Sequence, residues 1–228
     1  MSATDRATAT EGPGPPVTAR GAQTRTQLVA AARALFERQG YLDTNVGDIA
    51  REAGVAHGTF YTYFTSKHAI FGEVAHSLQR DLAALAASQP PLAHGAPLSE
   101  RIERANLGYL RGYEQHARMM GVLEEVATID PQLAAIRRSI RRFWVDRNAA
   151  AIRRWQEAGH VDTRIDATYA ANALGSMIDR SAYIWLVLGE PYEIEEATIQ
   201  LTRLYCNALG LPYHRDASPP RGDRSDRR

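Results

Sequence analysis

Residues Asn45 to Phe71 read NVGDIAREAGVAHGTFYTYFTSKHAIF, and this stretch decides the fold. Asn45 suits an N-cap, with Asp48 three residues on, where a carboxylate answers the cap and complements the helix dipole. Ile49 and Ala53 give that helix its apolar stripe. Gly54 follows, a residue that takes the left-handed conformation and turns the chain. A second short helix then runs from about Gly58 to Phe64. Phe60 and Phe64 lie four apart and share an inward face. Thr59, Tyr61, Thr62 and Tyr63 stay outside. A short exposed helix dense in hydroxyls and aromatic rings has the form of an element that reads the major groove of DNA.

Working outward, residues 1–20 are rich in Thr, Ala, Gly and Pro without periodicity and read as a disordered arm. Helices are predicted over 22–39, 46–53, 57–64 and 67–87, with Ser66 capping the fourth. The Pro/Gly stretch 88–97 breaks the chain. Amphipathic helices follow over 98–114 and 118–129, and Asp130-Pro131 opens a long helix to Glu157. Its apolar face is read as Leu133, Ile136, Ile140, Phe143, Trp144, Ala151 and Trp155. The segment 166–188 is apolar around much of its circumference and needs cover on more than one side. The last helix spans 193–209 and stops at Gly210-Leu211-Pro212. The tail 213–228 reads as disordered. With no strand pattern, the fold class is all-α.

Composition narrows the function. The 228 residues are 44% hydrophobic, enough for a sizeable core, and the formal charge is +1. Nucleic-acid binding therefore needs a local patch, not a global basic bias. One cysteine, Cys206, excludes an internal disulfide and fits a reducing cytoplasm. No apolar run reaches the ~18 residues of a membrane span, and a signal-peptide pattern is missing. There is no Gly-rich phosphate loop and no nucleophile motif. His57, His68 and His76 lack convincing metal-ligand spacing. An enzyme, a metal and a cofactor are not expected.

The stretch resembles the helix-turn-helix of the TetR family of bacterial transcriptional regulators. The resemblance rests on Asn45, Ile49-Ala50, Ala53-Gly54-Val55, Gly58-Thr59, Tyr61, Tyr63-Phe64 and Lys67. The preceding helix adds Leu35-Phe36 and Gly40-Tyr41. The pattern covers about the first third of the chain. It departs at Gly47, where the family often carries a polar contact residue, and at Ala56, where a Ser or Thr cap is common.

The resemblance implies a three-helix DNA-binding domain over 21–66 and a helical ligand-binding and dimerisation bundle over 67–212, with 67–87 as the connecting helix. His57 is placed to meet a guanine edge or a phosphate, and Thr59 a phosphate or a thymine methyl. Gly58 lets the backbone approach. Tyr61, Tyr63 and Lys67, the chain's single lysine, are expected at phosphates. Arg25 reaches a phosphate or the minor groove, while Thr44 and Asn45 flank a helix start that faces the backbone. Asn45 suits a pure cap better than a base reader. Ordinary helix-surface and packing roles compete at each position.

In the bundle, a lipophilic ligand is expected among Tyr109, Tyr113, Met120, Leu123, Phe143, Trp144, Met177 and Tyr183, against the plainer reading of core packing. A dimer interface is expected through Ala170, Leu174, Ile178, Leu201, Leu204 and Tyr205 on the last two helices, against a role in the monomer's core. Asp179-Arg180 reads as an ion pair or as a polar ligand anchor. The arginines of the long helix, from Arg137 to Arg154, read as its solvated face, against a second anion-binding patch. The function implied is a homodimeric cytoplasmic repressor, released from a palindromic operator by a small molecule. A ligand-requiring activator, a co-repressor-dependent regulator and a helical interaction protein without DNA binding are the alternatives.

Overall fold

The computed structural model describes residues 18–87, 92 and 95–213. Most of the arm 1–20, of the tail 213–228 and of the stretch 88–97 lies outside the described residues. Among the described residues there are nine helices and no strand.

Helix α1 spans Ala19–Gln39 and begins three residues before the periodicity suggests. The cause is Thr18, whose Oγ1 accepts from the Gly21 N–H at 3.1 Å. The helix ends at Gly40, whose φ of 80° no side chain favours. Helix α2 is Val46–Glu52 and α3 is His57–Tyr63. Helix α4 is Lys67–Ala87, capped where Ser66 Oγ accepts from Ala69 N–H at 3.1 Å.

These four pack on one aromatic knot. Phe36 and Phe71 meet edge-on at 5.3 Å, and Tyr41 and Phe71 at 5.0 Å. Phe60 joins Phe64 at 5.8 Å. Phe36, Phe60 and Phe71 are fully buried, each contributing about 1.5–3 kcal/mol of apolar transfer.

The bundle is α5 (Leu98–Gln115), α6 (Ala117–Val126), α7 (Pro131–Glu157), α8 (Ala167–Leu186) and α9 (Ile194–Leu209). Asp130 caps α7 through Gln132 and Leu133 N–H at 2.7 and 3.0 Å, with Pro131 at the first helical position. Asp166 caps α8 in the same way, and Gly210 closes α9 in the left-handed conformation. Helix α5 lies between α4 and α9, and α7 lies against α8.

The α4–α5 seam is tight because two glycines line it. A Cβ on Gly108 would sit 3.0 Å from the Ala86 backbone, and one on Gly112 2.9 Å from a Leu82 methyl. Helix α4 is thus shared. Its first half belongs to the aromatic knot, and its second half is clasped by the bundle. Among the described residues no helix is long and apolar enough to cross a membrane.

Candidate DNA-reading head and effector cavity

The reading head is set by its turns. Asn45 Oδ1 accepts from Asp48 N–H at 2.9 Å, and Asn45 Nδ2 donates to Asp48 Oδ2 at 2.6 Å. This reciprocal cap starts α2 and leaves Asn45 exposed at its tip. Gly54, at φ 69°, makes the turn into α3. Gly47 has a local reason: a Cβ there would lie 3.1 Å from Asn45 Oδ1 and 3.7 Å from the His57 ring. A larger residue would crowd both the cap and α3.

Helix α3 turns Phe60 inward and presents His57, Gly58, Tyr61 and Thr62 to solvent. Tyr61 is 50% exposed and is held upright by edge contacts with His57 at 5.5 Å and Phe60 at 5.3 Å. Nothing lies within 4 Å of a Cβ built on Gly58, so the first turn of α3 is bare. Thr59 is half-buried, and Tyr63 is half-buried against the core. Ala56 offers no side-chain cap, leaving the first N–H groups of α3 without one.

Three expected DNA contacts have partners inside the protein. Lys67 Nζ donates to the carbonyls of Tyr41 at 2.8 Å, Thr44 at 2.7 Å and Leu42 at 3.4 Å, and stands 4.2 Å from the Tyr41 ring centre. An ammonium has three N–H donors, and these carbonyls use them all. Its pKa is lowered, by burial, with Asp43 opposing. Thr44 is buried, and its hydroxyl donates to Gly40 O at 2.7 Å. Arg25 Nη2 pairs with Glu73 at 2.8 Å and covers the Phe64 ring at 5.0 Å. The Arg25 hydrogen bond holds Glu73 below its ordinary pKa. All three brace the loop and helices that carry the exposed face. Arg51, exposed on α2 and paired with Asp48, was not singled out in the sequence.

Behind the head, α4, α5, α6, α7 and α8 line a cavity of about 120 Å³ that opens to solvent beside the exposed Arg141 and Asn172. Tyr109, Met120, Leu123 and Trp144 line it, as do Ala75, Leu78 and Leu82 of α4. Tyr113, Phe143, Met177 and Tyr183, expected with them, are not on its wall. Tyr113 is wholly buried, its hydroxyl without a hydrogen-bond partner among the described residues, whereas Phe143 is 40% exposed.

The polar half of the wall comes from two arginines of the face read as solvated, from Asp179, read as an ion pair or a ligand anchor, and from two α8 residues not singled out. Arg137 and Arg141 of α7 face the cavity, as do Asn172, Ser176 and Asp179 of α8. The signal was available: Arg137, Arg141 and Trp144 share the helical face of Ile140. Asp179 resolves into a network. It accepts from Tyr109 Oη at 2.6 Å and Arg137 Nη2 at 2.8 Å, while Arg137 Nε donates to Glu124 at 2.5 Å. Burial lowers the pKa of Arg137, but the two carboxylates outweigh it and the net shift is upward. Burial, then Asp179, pushes Tyr109 well up, so it remains a neutral donor. Arg180 stacks over Tyr183 at 4.5 Å instead.

Of the expected interface residues, Leu174, Ile178, Leu201 and Tyr205 are buried within the single chain. Ala170 is half-buried, and Leu204 is 53% exposed. Tyr169, 81% exposed at the start of α8, is the largest apolar surface nearby in sequence and was not singled out.

Residues 28–74 match the family described as "Bacterial regulatory proteins, tetR family". The chain is 39% identical over 66 residues to the uncharacterized HTH-type transcriptional regulator YdgC of Bacillus subtilis, covering 28% of this chain and 34% of that one, about a third of its length. It is 24% identical over 183 residues to the HTH-type transcriptional regulator EthR of Mycolicibacterium smegmatis, covering 80% of this chain and 84% of EthR. Among solved structures, a tetR-family transcriptional regulator from Streptomyces coelicolor superposes with a TM-score of 0.63 at 21% identity, over 81% of this chain and 79% of that one. At that identity the likeness shows the fold. The curated relatives are transcriptional regulators, a non-enzymatic class.

Proposed function

We propose that this chain, which belongs to the TetR family of DNA-binding transcriptional regulators, is a homodimeric repressor released from its operator by a small ligand in the α4–α8 cavity. One observation carries the reading. Helix α4 is continuous from Lys67 to Ala87. Its first residue holds the loop that carries Thr44, and Ala75, Leu78, Gln79, Leu82 and Ala86 form one wall of the cavity. A ligand that favours one placement of α4 therefore acts on the head, in proportion to its unequal affinity for the two placements.

In this reading residues 21–66 are the DNA-binding domain and 67–212 the effector and dimerisation domain. His57, Gly58, Thr59, Tyr61 and Tyr63 meet DNA, with Asn45 at the edge of the contact. Arg25, Thr44 and Lys67 set the height of that surface. The exposed Tyr169 and Leu204, with Ala170, support pairing through α8 and α9. Two heads one helical turn of DNA apart then read two half-sites of a palindrome, as a single short α3 makes few contacts. The setting is the cytoplasm.

The test is a gel shift on the DNA upstream of the chain's own gene, at fixed salt with excess competitor. A discrete band, lost when one half-site is scrambled, is the expected result. Tyr61→Phe should weaken binding to every sequence alike and leave its salt dependence unchanged, because it removes an uncharged phosphate donor. A band equally strong on scrambled DNA would sink specific operator reading.

A further inference from the structure

The cavity has two unlike sides. Leu78 and Leu82 of α4 and Met120 and Leu123 of α6 form an apolar side. The α7–α8 side is polar, and its arginines are in different states, Arg137 half-buried within it and Arg141 exposed at its mouth. Arg137 is paired with two carboxylates, Glu124 at 2.5 Å and Asp179 at 2.8 Å. Arg141 is not. Its Nη2 donates to Asn172 Oδ1 at 2.7 Å and to Ser176 Oγ at 2.5 Å, both neutral acceptors. No carboxylate among the described residues pairs with it within 4.0 Å.

We infer that the cavity takes an amphipathic carboxylate, its head on Arg141 and its body against the α4–α6 side. The inference rests on the reading of this cavity as the effector site. A planar guanidinium matches a carboxylate through paired, charge-assisted hydrogen bonds. Asn172 and Ser176 aim the guanidinium without cancelling its charge. On the wall itself three arginines, Arg137, Arg141 and Arg147, face one carboxylate, Asp179, whose two oxygens already accept from Arg137 and Tyr109, so a cationic head is disfavoured. Arg147, also on the wall, adds a second positive charge. The volume of about 120 Å³ suits a small body, as an engineered cavity of about 150 Å³ holds benzene.

The probes are hexanoate, hexanol and hexylamine, which share one apolar chain and differ in head charge. Binding to the full-length protein is read by titration calorimetry, for the native chain and for Arg141→Gln. Hexanoate is expected to bind about tenfold more tightly than hexanol, a difference of about 1.4 kcal/mol, since its head adds charge-assisted hydrogen bonds. Hexylamine should bind most weakly. Arg141→Gln should erase the preference for hexanoate while still taking up hexanol, which shows the cavity to be intact. Equal binding of hexanoate and hexanol overturns the inference. So does a preference for hexylamine, an unchanged preference in Arg141→Gln, or no uptake of any probe. A gel shift run on the same samples separates the two readings. Hexanoate bound by Arg141 without loss of the DNA band would defeat ligand release and leave the head-group assignment standing.

Discussion

The reading head and the bundle behind it close their polar groups over different distances along the chain. In the α2 turn of the head, Thr44 bonds Gly40 four residues back and Asn45 exchanges bonds with Asp48 three residues on, while Lys67 and Arg25 brace the head from 23 to 48 residues away. In the bundle, Arg137 reaches Asp179 across 42 residues, Tyr109 reaches it across 70, and Asn106 Nδ2 meets Thr202 Oγ1 across 96. A structure made of short closures can be read in a short window of sequence. One made of long closures shows each partner alone, and an unpartnered arginine on a helix looks like a solvated face.

The sharpest way to break this contrast is at the head's core. Phe60 is fully buried, against Phe64 and under Tyr61. Phe60→Ala should cost about 3–5 kcal/mol and abolish DNA binding, because the same residue packs α3 and aims its exposed face. Urea denaturation and the gel shift read the two effects. If local closures suffice to hold α3, stability would fall by less than about 1 kcal/mol, and the head would not depend on its aromatic knot.

Next in size is the bundle's charge cluster of Arg137, Asp179 and Glu124. Arg137→Leu leaves Asp179 and Glu124 facing a partly buried wall without their cation. A loss of about 3 kcal/mol is expected, part of it regained in the double variant Arg137→Leu/Asp179→Leu, where Glu124 is the one carboxylate still without its cation. Asn45→Ala in the head should cost only about 1 kcal/mol. Denaturation midpoints for the three proteins rank them. An Arg137→Leu effect no larger than that of Asn45→Ala would mean that the network is a solvated surface pair after all.

Particular residues show where sequence reading stops. Helices α2 and α3 were legible because cap, glycine turn and inward phenylalanines fall within 27 residues. Lys67 was legible as a special position but not in its role. Its partners are backbone carbonyls of residues 41, 42 and 44, and carbonyls leave no mark in a sequence. Trp144 was placed correctly on the inner face of α7, whereas Phe143 next to it was not. Periodicity fixes a stripe to within one residue, and the packing of α7 on α8 decides which neighbour turns in. Leu174, Ile178, Leu201 and Tyr205 have the spacing of an interface, but spacing does not distinguish a partner helix in the same chain from one in another.

The smallest expected effect lies where the two regions meet. Arg33 on α1 donates to His116 Nδ1 at 2.7 Å and to Asp81 on α4 at 3.0 Å, so three segments from head and bundle share one guanidinium. Arginine has only donors, so Nδ1 accepts and the ring's proton sits on Nε2. Burial, and then the Arg33 charge, lower the His116 pKa against the opposing pull of Asp81 and Glu37. An unfolded histidine titrates near 6.5. The unfolded chain therefore takes up the proton first as pH falls. The stability this contact contributes is complete above about pH 6.5 and is lost as pH drops through the lower folded value. Protonation also turns Nδ1 from an acceptor into a donor facing Arg33, which strains the seam where α1 meets the bundle. Denaturation midpoints at pH 7 and pH 5 should fall more steeply for the native chain than for His116→Gln, whose side chain carries no titrating proton. Parallel pH profiles for the two proteins would mean that the seam tolerates a charged ring, with Arg33 held there by Asp81 instead.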